Sequence, residues 1–292
     1  MNSRVDYQIS VKENLYFFIK LIISIAFYYF IVWAIWWSFE SDSSVAKTMY
    51  VVYTYLILIV LFLFFRFGVM IGYIRGNAVK LTATQFPDIY KVFVTQSEQL
   101  QLAFIPTVYI MQSGGVLNAF ATKFMGRNYV VLYSEMVETY YQQDKSILEF
   151  VIGHELGHIK RNHMLKKLLL MPSSIVPFLG SAYSRACEYT CDNIGHALCP
   201  SGAKSGIVLL ASGRGIYKMV NVSEFVAQDS TDGGFWKWFA EKISSHPTLV
   251  KRLAPYANEK EAVGRVSPVP VVEEGKKKEE VEKEDYSRYM PL

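Results

Sequence analysis

Phe150-Val151-Ile152-Gly153-His154-Glu155-Leu156-Gly157-His158 sits in an apolar-periodic run that begins after Asp144 and continues to about Leu169. Such periodicity predicts a helix, and Ser146 and Glu149 have capping-box spacing at its start. Residues four apart lie one turn apart on one helical face. The rings of His154 and His158 can therefore converge on one ion, with Glu155 beside them and not obliged to ligate. Zinc suits two imidazoles and a carboxylate, and a catalytic zinc keeps one of its four positions open for water. Two histidines then require a third protein ligand. The chemistry this pattern carries is metal-assisted hydrolysis, with Glu155 accepting a proton from the activated water.

Downstream, Arg185-Ala186-Cys187-Glu188-Tyr189-Thr190-Cys191-Asp192 reads as the start of a second helix on which Glu188 and Asp192 face the same way. Glu188 is the candidate third ligand; its alternative fate is a surface carboxylate near Arg185. Asp192 is placed to hold a metal-site imidazole by its other nitrogen, which fixes the tautomer. His163 is nine positions past His154, on the opposite face of a continuous helix, and is not expected to ligate this ion. His196 falls two turns beyond Glu188, too far along the axis to join it, and is expected to pack or face solvent. Cys187, Cys191, His196 and Cys199 are a rival metal set, but their spacing is unlike a zinc knuckle and burial as small hydrophobes is the expectation.

Outward from these helices the composition divides. Apolar residues make up 51% of the 292 and charged ones 19%, an imbalance concentrated near the N-terminus. Leu21 to Phe39 is a run of nineteen uncharged residues and Thr48 to Phe65 a run of eighteen; each suits a bilayer core about 30 Å thick. Together they predict a transmembrane hairpin over 21–72, a reading preferred to a cleaved signal peptide because a second span follows. Arg4, Lys12 and Lys20 precede it, Arg66, Arg75 and Lys80 follow it, and only Lys47 lies in the connection. Residues 1–20 and the domain after the hairpin are therefore expected in the cytoplasm of a cell-membrane protein. Three cysteines within thirteen residues fit that reducing compartment and argue against disulfides. A net charge of +4, evenly scattered, gives no stripe for nucleic acid.

Residues 73–256 have globular composition. Thr107–Ser113, Val116–Phe124 and Tyr129–Tyr133 are β-rich and separated by glycine-containing turns, which predicts a short antiparallel meander. The expected fold class is α+β, mostly helical. Leu168–Tyr183, interrupted by Pro172, Pro177 and Gly180, reads as a loop or a partly inserted hairpin. Residues 257–292, mixed in charge and poor in large apolar groups, read as a disordered tail.

Four pieces together resemble the membrane-bound gluzincin metallopeptidases typified by the HtpX heat-shock protease and the type 1 CAAX prenyl endopeptidase. They are Asn118-Ala119-Phe120-Ala121, the motif at 154–158, Glu188 with Asp192, and Ser245-His246-Pro247 followed by Arg252. The resemblance covers roughly 105–254. It implies a zincin-like domain with one zinc per chain, Glu188 as third ligand and Asp192 behind the ligands. It also implies an edge strand at Asn118, Ala119 and Phe120 on which an extended peptide pairs, and a His246 that steadies the transition state. The implied substrates are membrane-associated or unfolded proteins, at a lipid bilayer. Many relatives carry a second pair of membrane spans between the histidine motif and the distal glutamate, whereas here only thirty positions separate His158 from Glu188. A catalytically silent scaffold and a small-molecule metallohydrolase are the competing classes. The scaffold would not need Glu155.

Overall fold

The computed structural model describes residues 4–41 and 43–258. The tail expected to be disordered lies, from residue 259 onward, outside the described residues.

Helices α1 (Val11–Glu40) and α2 (Ser44–Asn77) form the N-terminal hairpin. Both are long and apolar enough to cross a membrane, and only 11% of the most apolar stretch of each is buried against protein. Every side chain from Leu56 to Phe65 is more than half exposed. A continuous apolar surface of this length calls for hydrocarbon as solvent. Helix α1 starts well before its apolar run, and its first turns bury Glu13 and Lys20 against the globular part.

A four-stranded sheet follows, built from β1 (Val79–Lys80), β2 (Thr107–Met111), β3 (Ala119–Phe124) and β4 (Arg127–Tyr133) in the order β1-β2-β4-β3. The sheet is mixed, which corrects the antiparallel meander. Strands β3 and β4 do form a hairpin, but β2 runs parallel to β4 and not beside β3. The cause lies in the β2–β3 connection. Gly114 and Gly115, at φ 60° and 92°, carry the chain across, and the Gly115 amide donates to Glu135 at 2.6 Å. β4 takes the central place because Tyr129-Val130-Val131-Leu132 is apolar without alternation and is buried on both faces. One face packs Tyr109, Tyr129 and Val131 against Ile71 and Ile74 of α2. The other joins the main core through Val108, Ile110, Val130 and Leu132.

Helices α3 (Pro87–Gln99) and α4 (Ser134–Gln142) pack around α5 (Lys145–Lys160), the helix of the histidine motif. Its N-cap is Asp144, whose carboxylate accepts from the Ser146 amide at 2.9 Å, so the expected Ser146–Glu149 box does not form. Nor does α5 run to Leu169. It ends at Lys160, Asn162 turns left-handed at φ 52°, and α6 (His163–Leu169) starts in a new direction. Residues 168–178 hold a short 3-10 turn, Pro172–Ile175, and α7 (Leu179–Leu198) begins six residues earlier than Arg185. Tyr28 of α1 donates to the Leu169 carbonyl at 3.0 Å and ties this loop to the hairpin.

Helix α5 lies against α7 and α8 (Pro200–Ser212) at backbone contact. A Cβ on Gly153 would sit 3.0 Å from Gly195 Cα, and one on Gly202 would sit 2.0 Å from the Ser146 carbonyl oxygen. Glycine is required where two helix axes approach this closely. That approach brings the acids of α7 beside the histidines of α5. The described chain closes with α9 (Val222–Thr231), α10 (Phe235–Ile243) and α11 (Leu249–Leu253).

Candidate metal centre

His154 and His158 project from α5 toward Glu188 of α7. His154 Nε2 lies 3.3 Å from His158 Nε2 and 3.4 Å from Glu188 Oε2, and His158 Nε2 lies 3.5 Å from Glu188 Oε1. A tetrahedral ion with bonds of about 2.0 to 2.1 Å holds its ligand atoms about 3.3 to 3.4 Å apart. The separations therefore fit a zinc-sized cation. The chemistry of the donors fits as well, because two imidazoles and a carboxylate aimed at one point present lone pairs that a cation satisfies.

Each element of the floor is fixed from behind. Asp192 Oδ1 is 2.9 Å from His154 Nδ1, which leaves Nε2 of that ring to face the centre. Arg252, from α11, donates to both oxygens of Asp192 at 2.8 and 2.7 Å. Burial alone would lower His154, yet its bonds to Asp192 and Glu188 push it up to about 10. Burial would raise Glu188, but hydrogen bonds from His154 and His246 hold it well below the usual carboxylate range. His158 is driven well below the ordinary histidine value by burial. The site thus prefers one positive charge at its centre, a proton or a metal.

Glu155 is 7% exposed, and burial raises its carboxyl, partly offset by the charge on His154 and by a backbone hydrogen bond with Ala121 of β3. β3 has β4 on one side and is an edge strand. A cavity of about 490 Å³ opens there, lined by Asn118, Phe120, Glu155, Glu188 and His246 among others. Asn118 turns its side chain to its own strand, Oδ1 accepting from the Ala119 amide at 2.9 Å. Ala119 and Phe120 pair with Leu132 and Val131. His246 Nδ1 is 3.1 Å from Glu188 Oε2 on a side chain 64% exposed. The structure thus gathers all nine residues singled out in the sequence around one cavity, with Asp192 behind it.

The remaining histidines and cysteines divide. His196 stacks on Tyr256 at 4.9 Å. Cys187, Cys191 and Cys199 are free and buried, and burial pushes the Cys187 thiol up to about 12 and Cys191 well above its ordinary value. His163 does not lie on the far side of α5: the break at Asn162 returns it to within 3.0 Å of His158. Sequence reasoning missed the partners of three residues here. Arg185 does not pair with Glu188 but caps α10, donating to the carbonyls of Glu241, Lys242 and Ser244 at 2.7 to 2.9 Å. The partners of Arg252 and Glu13 gave no local signal, Asp192 lying 60 residues from Arg252 and His163 150 from Glu13 in the chain.

Two histidines, a distal glutamate and an adjacent buried carboxylate beside an edge strand make up the arrangement of a metal-dependent hydrolase. Residues 83–179 match the model of peptidase family M48, a match that includes the histidine motif but stops before Glu188. Among similar proteins is the plastoglobule-localized metallopeptidase 48 of Arabidopsis thaliana, 26% identical over 204 residues, 61% of this chain and 58% of that protein. A protease HtpX homolog of Helicobacter acinonychis is 25% identical over 214 residues, 60% of this chain and 67% of that one. A CAAX prenyl protease 1 homolog of Dictyostelium discoideum is 34% identical over 76 residues, 25% of this chain and 17% of that protein. No solved structure gives a significant match.

Proposed function

We propose that the protein is a membrane-anchored zinc endopeptidase acting on membrane-associated or unfolded proteins, with one zinc per chain held by His154, His158 and Glu188. The reading is carried by one observation: three lone-pair donors stand 3.3 to 3.5 Å apart beside a second buried carboxylate, Glu155. Bound there, zinc supplies a Lewis acid that polarises a scissile carbonyl and brings water toward a neutral pKa. Glu155 would accept the proton of the water whose oxygen adds to the carbonyl carbon and would pass it to the amine as the C–N bond breaks, and its raised carboxyl suits a group that must do both. An extended substrate adds to the free edge of β3 along Asn118, Ala119 and Phe120, the way a peptide augments a sheet. His246 donates to the oxygen that becomes negative in the transition state. Residues 21–72 anchor the catalytic domain, 73–256, on the cytoplasmic face, a reading that the lysine and arginine distribution supports.

The test is metal content and casein cleavage by the full chain in detergent, wild type beside Glu155→Gln. One zinc in each, with cleavage by the wild type alone, is the expected result. Cleavage undiminished in the variant removes Glu155 as the base, and a wild type that cleaves after its metal is stripped sinks the proposal.

A further inference from the structure

Behind His158 stands a set of side chains drawn from a distant part of the chain. His158 Nδ1 is 3.0 Å from His163 Nδ1, and the other nitrogen of His163 is 3.2 Å from Glu13 Oε1. Glu13 belongs to the first turn of α1. The same oxygen accepts from Arg161 Nε at 3.1 Å and Nη2 at 2.9 Å. Glu13 and His163 are each 1% exposed, so neither contact competes with bulk water.

With neutral rings, donor and acceptor rules leave one assignment. An ionised carboxylate only accepts, so His163 presents Nε2–H to Glu13 and keeps its lone pair on Nδ1. His158 must then donate from Nδ1, which leaves its Nε2 lone pair directed at His154 and Glu188. Asp192 does the same for His154 from the opposite nitrogen. The two rings are thus held alike, one directly by a carboxylate and the other through an intervening imidazole.

We infer that Glu13 and His163 are positioning residues for His158, and that metal retention therefore depends on the seating of the N-terminal helix against the catalytic domain. This rests on the zinc site proposed above. Two further contacts hold the start of α1 in that seat, the Ser10 amide on Thr190 Oγ1 at 3.0 Å and Lys20 Nζ on Ser174 Oγ at 3.2 Å. Both acceptors lie on or just before α7, the helix that carries Glu188. Helix α1 therefore spans the back of the metal site before it becomes the first membrane-crossing segment. Glu13, His163 and Cys187, and likewise His158, His163 and Cys191, also bring donor atoms within 4.8 Å of one another. A second metal centre there would take a ring nitrogen of His163 that the relay already uses.

The experiment measures zinc affinity of the full chain in detergent by chelator competition, with the visible spectrum of the cobalt-substituted protein and the melting of the metal-free form alongside. Glu13→Gln and His163→Leu should weaken zinc binding about ten- to a hundredfold, the usual range for partners behind a metal ligand, and alter the cobalt spectrum. His163→Asn places an oxygen near the position of Nδ1 and should recover part of the loss. Adding Glu13→Gln to His163→Leu should cost no further affinity, because Glu13 acts through His163. A destabilising effect unrelated to the metal would lower melting and add in the double variant. Arg161→Met separates the ion pair from the relay and should change affinity less than about threefold. Wild-type affinity in both Glu13→Gln and His163→Leu overturns the relay and leaves the zinc site standing, as does binding of two metals that both depend on His163. Zinc binding that is unaffected by Glu188→Gln overturns the site itself.

Discussion

His154 and His246 both touch Glu188, but they reach it from regions built on different terms. On the floor, His154, Glu188, Asp192 and Arg252 are each less than 9% exposed, and Asp192 meets a ring nitrogen and a two-pronged guanidinium at once. On the rim, His246 stands 64% exposed, α10 before it has no buried residue, and β3 is an edge. The rim is tied down through its backbone, by Arg185 on the carbonyls of Glu241, Lys242 and Ser244. The proposed peptidase activity would draw on both: buried ligands held from behind, and an exposed rim open to an extended chain.

The largest expected effect is at Glu155, the proposed base. Glu155→Gln should reduce cleavage at least about a thousandfold, toward the upper range for a general base, with zinc content unchanged. Next comes the support beneath it. Arg252→Met strands a buried carboxylate and should cost about 3 to 5 kcal/mol of stability, read by denaturant unfolding of the metal-free protein. His246→Asn is the counterpart on the rim. It should leave stability within about 0.5 kcal/mol while lowering kcat about ten- to a hundredfold with KM little changed. A His246 variant that melts early, or an Arg252 variant that does not, would erase the distinction between the two regions.

Much of the floor is visible in the sequence because local spacing dictates it. His154 and His158 four apart, and Glu188 and Asp192 four apart, need only two helices to form two facing pairs. What joins the pairs is less legible. Gly153 and Gly195 meet across 42 positions of chain, and nothing in either helix alone announces the contact. Arg252 and Glu13 are long-range partners of the same kind. Two misreadings had usable signals. Asn162 is a residue type that tolerates the left-handed turn that ends α5, and the unalternated apolar run of β4 marks a central strand. Periodicity carried the helix through the first, and proximity in sequence suggested a meander over the second.

The smallest effect is also the most direct measure of how the floor holds charge. His154 is raised to about 10 in the metal-free protein by Asp192 and Glu188, against an ordinary value of 6.5. The stability this gives the metal-free fold is fully present below about pH 6.5 and is lost as pH rises through about 10. A metal entering the site between those limits must displace that one proton. His158, lowered by burial, has none to release above its ordinary value. Zinc affinity should therefore climb about tenfold per pH unit between pH 7 and 9. Calorimetry in buffers of different ionisation enthalpy should count close to one proton released by the protein. Asp192→Asn removes the largest support for the protonated ring and should flatten that slope, whereas His246→Asn, which withdraws only the exposed partner of Glu188, should leave it near the wild-type value. A slope equally reduced by both substitutions would mean that rim and floor share the proton.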